Sequence, residues 1–266
     1  MNILDLIFPK DLYCISCGRP LPAQEAGGLA LCGRCASEIA WISGRSCEKC
    51  GRPLSDENPG VFCHECAGGG ERVFNKGYAC AVYAGRVADI VREMKYRQKS
   101  WYADTIASLM AARYFAAADP ETGELPEYDG LACVPMNAKK KSARGYDQAN
   151  LIARGLSRRT GIPCLAGALK RVRETDVMSG LTAGERRQNL AGAFAVPCDM
   201  IDIVAGKKLL IADDVYTTGS SVSVCAEALL AAGAESVDVI VFAIGADVRP
   251  QAESRGGPSG LWLKVH

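Results

Sequence analysis

The chain has 266 residues, 48% of them hydrophobic, which supplies a sizeable core and excludes an intrinsically disordered chain. With 31 Lys/Arg against 30 Asp/Glu the formal charge is +1, so the molecule as a whole is not a polycation. The balance is uneven: residues 71–180 carry 18 basic against 12 acidic side chains, residues 1–70 carry 6 against 8, and residues 181–266 carry 7 against 10. Any nucleic acid or diphosphate is therefore expected at the middle third.

The start, M-N-I-L-D-L-I-F-P-K, has an acid inside its short apolar run and no basic stretch before it, so no signal peptide is expected. No segment reaches 18 uninterrupted apolar residues, and neither a transmembrane helix nor a membrane partner is expected. Of thirteen cysteines, eight form four C-x-x-C pairs: Cys14/Cys17, Cys32/Cys35, Cys47/Cys50 and Cys63/Cys66. A C-x-x-C turn places two thiolates on one side of a tetrahedral ion and a second turn closes the site, which fits structural Zn²⁺ with no open position. Such spacing argues for two metal sites in a reducing cytoplasm rather than disulfides. Cys17-Gly18-Arg19-Pro20-Leu21 recurs as Cys50-Gly51-Arg52-Pro53-Leu54, so the front end is an internal repeat. Two sequential ribbons are the simplest reading, and an interleaved pairing of first with third and second with fourth is also allowed by the spacing. His64 reads as a bystander. Cys80, Cys133, Cys164, Cys198 and Cys225 lie in apolar contexts and read as core.

Gly68-Gly69-Gly70 marks a linker, after which strands alternate with helices. Tyr78–Tyr83 reads as a strand. Val87, Ile90, Val91 and Met94 have helical spacing over Val87–Tyr96. An Ala-rich helix follows at Ala103–Ala118, a short buried strand at Leu131–Val134 and a helix at Gln148–Arg159. Thr182, with Glu185 three residues on, caps a helix to Leu190. Leu209–Ala212 and Val237–Ile244 are further strands. This alternation implies a mainly parallel sheet flanked by helices, with ligands at the carboxyl ends of its strands.

The most informative stretch is Leu209–Ser221, L-L-I-A-D-D-V-Y-T-T-G-S-S, followed by a helix over Val222–Ala232. A buried strand, a polar turn and a helix start make an anion site, because the first helical N–H groups are unpaired and sit at the positive end of the dipole. Thr217, Thr218, Ser220 and Ser221 add hydroxyl donors, and Gly219 lets the backbone close around a phosphate. Asp213 and Asp214 would repel that phosphate unless they accept from sugar hydroxyls, with or without a nearby divalent cation. A 5-phosphorylated ribose satisfies both halves. The plain alternative, a capped turn with solvated acids, needs one Ser or Thr rather than four around a glycine. No G-x-x-x-x-G-K-[ST] pattern is present.

Two other segments are basic. Val134–Thr160 holds seven basic residues and one acid, and Lys170–Thr182 carries Lys170, Arg171 and Arg173. Solvated runs on exposed connections are the plain reading of both. The second could instead close over a bound diphosphate and exclude water.

The Leu209–Ser221 stretch resembles the loop of type I phosphoribosyltransferases that binds 5-phosphoribosyl-1-diphosphate (PRPP). The chain as a whole resembles the ComF family of competence-associated proteins. The match runs through L-I-F-P, the ribbon with C-G-R-P-L, Y-A-G at Tyr83–Gly85 and K-Y-R at Lys95–Arg97. It continues through V-P at Val134–Pro135, R-G-Y-D-Q-A at Arg144–Ala149, R-R-Q-N-L-A-G-A-F at Arg186–Phe194 and D-D-V-Y-T-T-G at Asp213–Gly219. Asp147 stands where the family more often has Asn, and Met178 near a frequent Gln.

The resemblance implies a type I phosphoribosyltransferase fold with an N-terminal double zinc ribbon, divided as 1–70 (ribbon), 71–250 (transferase-like domain) and 251–266 (tail). It implies that Asp213 and Asp214 hold the ribose hydroxyls and that Thr217–Ser221 hold the 5-phosphate. Lys139, Lys140, Lys141 and Arg144 would neutralise the diphosphate, with Mg²⁺ accompanying PRPP. It ties the chain to natural transformation, with single-stranded DNA, a DNA-processing helicase or other transformation proteins as partners. Two functions follow: a transferase of phosphoribosyl to a nitrogen acceptor, or a non-catalytic PRPP-, nucleotide- or DNA-binding module. For the module, Arg154, Arg158 and Arg159 would extend the basic track, and Tyr96, Trp101, Tyr102 and Tyr146 would stack bases.

Overall fold

The structure, a computed structural model, describes residues 12–21, 29–68, 72–175 and 182–246. The opening L-I-F-P, Gly69-Gly70 of the expected linker, Met178 and the expected tail lie outside these residues. Six strands are present among them: β1 (Gly77–Val82), β2 (Gly130–Cys133), β3 (Lys170–Arg171), β4 (Phe194–Ala195), β5 (Lys208–Tyr216) and β6 (Ser236–Ile244). Four form a parallel sheet in the order β1-β6-β5-β2, and β3 pairs antiparallel with β4. Leu209 to Ala212 and Val239 to Ile244 are shut off from solvent, as central parallel strands covered on both faces must be.

The helices are α1 (Gly33–Ser37), α2 (His64–Ala67), α3 (Gly85–Tyr96), α4 (Tyr102–Phe115), α5 (Ala138–Arg144), α6 (Gln148–Thr160), α7 (Ala183–Leu190), α8 (Ile201–Val204) and α9 (Ser220–Ala231). Side chains alternate across a strand. Accordingly Leu210, Ala212, Ile240 and Phe242 pack with α3, α4 and α6 on one face. Leu209, Ile211, Val239 and Val241 pack with α9 on the other. The apolar stripe expected on α3 is buried as Val87, Ile90, Val91 and Met94. Among the described residues no helix is long and apolar enough to cross a membrane.

The ribbons clasp the β1 edge. Ile42 N–H donates to the Cys80 carbonyl and Val82 N–H to the Ala40 carbonyl, both at 2.9 Å, so the segment around Trp41 covers an edge that would otherwise be open. The two knuckles repeat bond for bond. Cys14 N–H donates to Arg19 O at 2.9 Å and Cys47 N–H to Arg52 O at 2.7 Å. Gly18 N–H donates to Cys14 O and Gly51 N–H to Cys47 O, both at 2.8 Å. The remaining ligands come from α1 and α2, whose N-caps are Cys32 and Cys63. Ile15 and Leu31 join the core on one face of the sheet, and Ile42 and Phe74 the core on the other.

The sulfurs gather as Cys14/Cys17/Cys32/Cys35 and Cys47/Cys50/Cys63/Cys66, each set within 4.8 Å, so the pairing is sequential and not interleaved. A tetrahedral ion with Zn–S near 2.3 Å requires sulfurs about 3.8 Å apart. Cys17 and Cys32 lie 3.9 Å apart and Cys50 and Cys63 3.7 Å apart, so both groups fit structural zinc. His64 belongs to neither set. The reading of the other cysteines as core holds for Cys80 and Cys225. Cys133 and Cys164 are half-buried, and Cys198 is exposed at the start of a 3-10 turn, where its hydrophobic neighbours in sequence do not enclose it.

Candidate active site

The expected strand at Leu209–Ala212 runs on to Tyr216, so Asp213 and Asp214 stand within β5 rather than in a loop after it. Asp213, Val215 and Tyr216 are registered opposite Val241, Ala243 and Ile244 of β6. This apolar partner overrides the low strand propensity of aspartate. Adjacent strand residues point to opposite faces, and the two acids accordingly meet different environments.

Asp214 is 3% exposed, and its Oδ1 accepts from Lys95 Nζ at 2.8 Å. Its Oδ2 is buried with no hydrogen-bond partner among the described residues, and Asp214 is not among the residues that line the cavity at the end of β5. Asp213 is half-buried, and burial together with the neighbouring Asp214 charge pushes its carboxyl up to about 8, against the pull of Lys95. Burial alone would lower the Lys95 ammonium, but the Asp214 carboxylate outweighs it and raises its pKa. Lys95 is thus the partner of Asp214, a role that the K-Y-R motif alone does not give it. Its signal is a lysine directly after Met94, the last buried position of the α3 stripe.

Beyond Tyr216 the chain turns through Thr217 and Thr218 into Gly219, the N-cap of α9, at φ +76°. A β-carbon on Gly219 would stand 2.1 Å from the Tyr216 hydroxyl, so only glycine fits this close approach. The Thr218 and Ser220 hydroxyls are 2.9 Å apart. Asp213, Thr217–Val222 and Arg186 together line a cavity of about 190 Å³. Arg186 comes from α7, which is tied to α9 by an Arg187–Glu227 ion pair of 2.6 Å. Its Nε is buried without a hydrogen-bond partner among the described residues, so a cation stands at this turn with a donor to spare. Its place in the R-R-Q-N motif does not by itself reveal this position.

Thus Asp213 and all five residues Thr217–Ser221 meet in one cavity. Lys139, Lys140, Lys141 and Arg144 do not line it. They lie on α5, where a loop was expected. Asn137 accepts from the Lys139 and Lys140 amides, and Gly145 ends the helix at φ +82°, a cap pair that was legible in the sequence. The three lysines are exposed, Lys139 pairs with Glu174 at 3.0 Å, and Arg144 donates to Gln148 and lies 5.9 Å from the Tyr96 ring centre. In the second basic segment, Arg173 Nη2 caps α7 through the Asn189 and Ala191 carbonyls at 2.8 and 2.7 Å. Arg171 stacks on Phe194 of β4 at 5.5 Å. Residues 176–181 of that segment lie outside the described residues.

A larger open concavity, about 470 Å³, lies among Tyr114, Tyr128, Thr160 and Lys208 at the amino ends of β2 and β5. Parallel sheets bind ligands at the opposite end, where Asp213 and the α9 start converge, so the smaller cavity is the candidate.

The double zinc ribbon domain model matches residues 3–85, and the phosphoribosyl transferase domain model matches residues 143–257. Competence protein F of Haemophilus influenzae is 30% identical over 236 residues, covering 88% of this chain and 91% of that protein. DNA utilization protein YhgH of Salmonella typhimurium is 27% identical, over 85% of this chain and 94% of that protein. Competence protein ComFC of Bacillus subtilis is 21% identical, over 76% and 79%. A ribbon with two four-cysteine sites, a parallel sheet carrying an acid pair ahead of a helix-start cradle, and near full-length similarity at this level all agree: the chain belongs to the ComF family, with a double zinc ribbon and a phosphoribosyltransferase domain of the type I fold.

Proposed function

We propose that the chain binds PRPP with Mg²⁺ at the β5–α9 turn and transfers its phosphoribosyl group to a nitrogen acceptor in the handling of DNA taken up by the cell. The observation that carries this reading is the cavity of about 190 Å³ in which Asp213, the Thr217–Ser221 hydroxyls and amides, and Arg186 converge. The α9 amides and hydroxyls donate to the 5-phosphate. Asp213 and the orphan Oδ2 of Asp214 accept from the ribose hydroxyls and are the residues that would hold the metal. Magnesium supplies charge neutralisation of the departing diphosphate. The bond from ribose C1 to the diphosphate oxygen breaks as the acceptor nitrogen bonds to C1, and the nitrogen's proton passes to solvent. The ribose develops positive charge in this step, which the two carboxylates stabilise. Lys139, Lys140, Lys141 and Arg144, on the helix that follows β2, are proposed to meet the diphosphate from the solvent side. In this reading 1–70 and 71–250 divide the work as ribbon and transferase, in the cytoplasm.

Names such as competence protein and DNA utilization protein attach to the relatives and support the link to DNA. A second reading, a non-catalytic binding module, draws on Tyr96 and Trp101, which are 74% and 62% exposed, with Arg144 lying 5.9 Å from the Tyr96 ring centre. Exposed aromatics among cations suit single-stranded DNA or a nucleotide. Steep salt dependence of DNA binding without product formation from PRPP would favour it.

Calorimetric titration of PRPP·Mg²⁺ tests the first reading. Because Asp213 holds its proton up to about pH 8, that proton must leave when the ligand binds. Affinity is therefore expected to rise by up to about tenfold per pH unit towards pH 8 and then level off. A flat profile from about pH 6 to 9 would remove Asp213 from the contact. Arg186→Ala is expected to weaken binding by about tenfold with little change in melting temperature, the loss of one charge-assisted contact. Unchanged affinity would show that the cation serves another purpose.

A further inference from the structure

The two halves of the C-G-R-P-L repeat have parted in their surroundings. In the first ribbon Arg19 is exposed, and a β-carbon on Gly18 would meet nothing within 4 Å. In the second ribbon Arg52 is 1% exposed, and a β-carbon on Gly51 would lie 2.5 Å from the Gly77 carbonyl oxygen. That close approach docks the second knuckle against the start of β1 and sends Arg52 under the phosphate turn. There its Nη2 donates to the Thr217 carbonyl at 3.1 Å.

Resting on the reading of this turn as a PRPP site, we propose that the second zinc ribbon sets the shape of the phosphate-binding turn, so that metal held at Cys47/Cys50/Cys63/Cys66 and ligand held at Thr217–Ser221 strengthen one another, while the first site stands apart. Arg52 is the positioning residue. In a planar trans peptide the C=O and the next N–H point in opposite directions. Among the described residues no peptide is cis. Arg52 draws the Thr217 carbonyl down, and the Thr218 amide is thereby aimed up into the cradle. A guanidinium fixed below the turn also adds positive potential where a phosphate arrives.

A second strut runs in parallel. Arg72 donates to Cys66 Sγ at 3.3 Å and to the Tyr216 hydroxyl, and Tyr216 lies directly under Gly219. Glu65, between Cys63 and Cys66 on α2, joins both struts: Arg72 Nη2 lies 2.7 Å and Arg52 Nη1 3.1 Å from its carboxylate. A zinc ion bound by four thiolates leaves a group with two net negative charges and fixes α2, so it holds the acceptors for both guanidiniums in place. Without metal, α2 is a single four-residue turn too short to persist unaided, and the struts lose their footing.

Coupling of two bindings is reciprocal, which supplies the test. Zinc is withdrawn from the full chain with a chelator that takes zinc but not magnesium. Released thiols are alkylated and read by mass spectrometry, separately for the two cysteine sets. PRPP·Mg²⁺ is expected to slow release at Cys47/Cys50/Cys63/Cys66 about tenfold and to leave Cys14/Cys17/Cys32/Cys35 unchanged. Arg52→Ala should abolish that protection and weaken PRPP about tenfold, Arg52→Lys should restore part of both, and Arg19→Ala should alter neither. Equal protection of both sets, or protection that survives in Arg52→Ala, overturns the proposal. A ligand-free arm keeps it separate from the reading of the site: amide exchange of Thr218–Ser221 should rise when the second set alone is emptied. Unchanged exchange overturns the inference even if PRPP binds. Raised exchange with no PRPP binding upholds the coupling and overturns the choice of ligand.

Discussion

Replacing both acids, Asp213→Asn with Asp214→Asn, is expected to cut the affinity for PRPP·Mg²⁺ by more than about 100-fold while the fold survives. Each amide keeps its shape but loses a charged acceptor, and a charge-assisted hydrogen bond is worth roughly twice a neutral one. The two single changes move stability in opposite directions. Asp214 balances Lys95 across 2.8 Å in a buried setting, so Asp214→Asn leaves that ammonium without its counter-charge and destabilises. Asp213 is the opposite case. Its folded pKa is raised from 3.8 to about 8, so the stability it contributes is present at acid pH and is lost as pH rises through about 8. Asp213→Asn should therefore raise the melting temperature of the ligand-free protein at about pH 8.5 and leave it nearly unchanged at about pH 4. Melting curves of the single variants at the two pH values give the signs, and calorimetry of the double variant gives the binding loss. Retention of PRPP binding within about threefold in the double variant would refute the assignment of the acids.

Gly219→Ala is expected to damage fold and site together. A left-handed residue with a β-carbon costs about 1–2 kcal/mol by itself. Here the new methyl would also overlap Tyr216, 2.1 Å from its hydroxyl and 2.3 Å from the ring carbon that bears it. Tyr216 cannot swing clear: it is 2% exposed, set edge-on to Phe74 at 6.3 Å, and held by Arg72. Overpacking of this kind adds about 1–3 kcal/mol, so a total near 3 kcal/mol is expected. For a chain of this size that lowers the melting temperature by roughly 6–12 °C. Because the same methyl displaces the turn whose amides are proposed to face the phosphate, PRPP affinity should fall by roughly 100-fold as well. A melting temperature within about 2 °C of the parent, with affinity intact, would show that the turn relaxes around the methyl at no cost.

Much of this arrangement is legible before any coordinates, and what is hidden has a physical reason. The α3 stripe, the capped helix at Thr182 and the buried strands announce themselves by period and by capping chemistry, which are local. The β5 acids defeat local reading because two aspartates argue against a strand, and only the apolar β6 beside them extends the pairing to Tyr216. The lysines of α5 obscured a helix that Asn137 and Gly145 bracket. Zinc pairing was open because spacing alone closes either a sequential or an interleaved set. The protein partners of Lys95 and Arg52 are hidden from the sequence, since the groups they bond lie 119 and 165 residues away, which no period encodes. Arg186 likewise meets the Thr217–Val222 turn only once the chain has folded.

The sheet order has a consequence for how the molecule is made. β6, the last strand among the described residues, is inserted between β1 and β5. At about 5–20 residues per second, roughly 10–35 seconds separate the emergence of the second ribbon from that of β6. During that interval β1 lacks its parallel neighbour, and its unpaired backbone would be a template for a neighbouring nascent chain. The segment around Trp41 already lies along its other side. A ribbon folded on its metal before β6 emerges would therefore cover one edge of β1 while the other still waits for its partner.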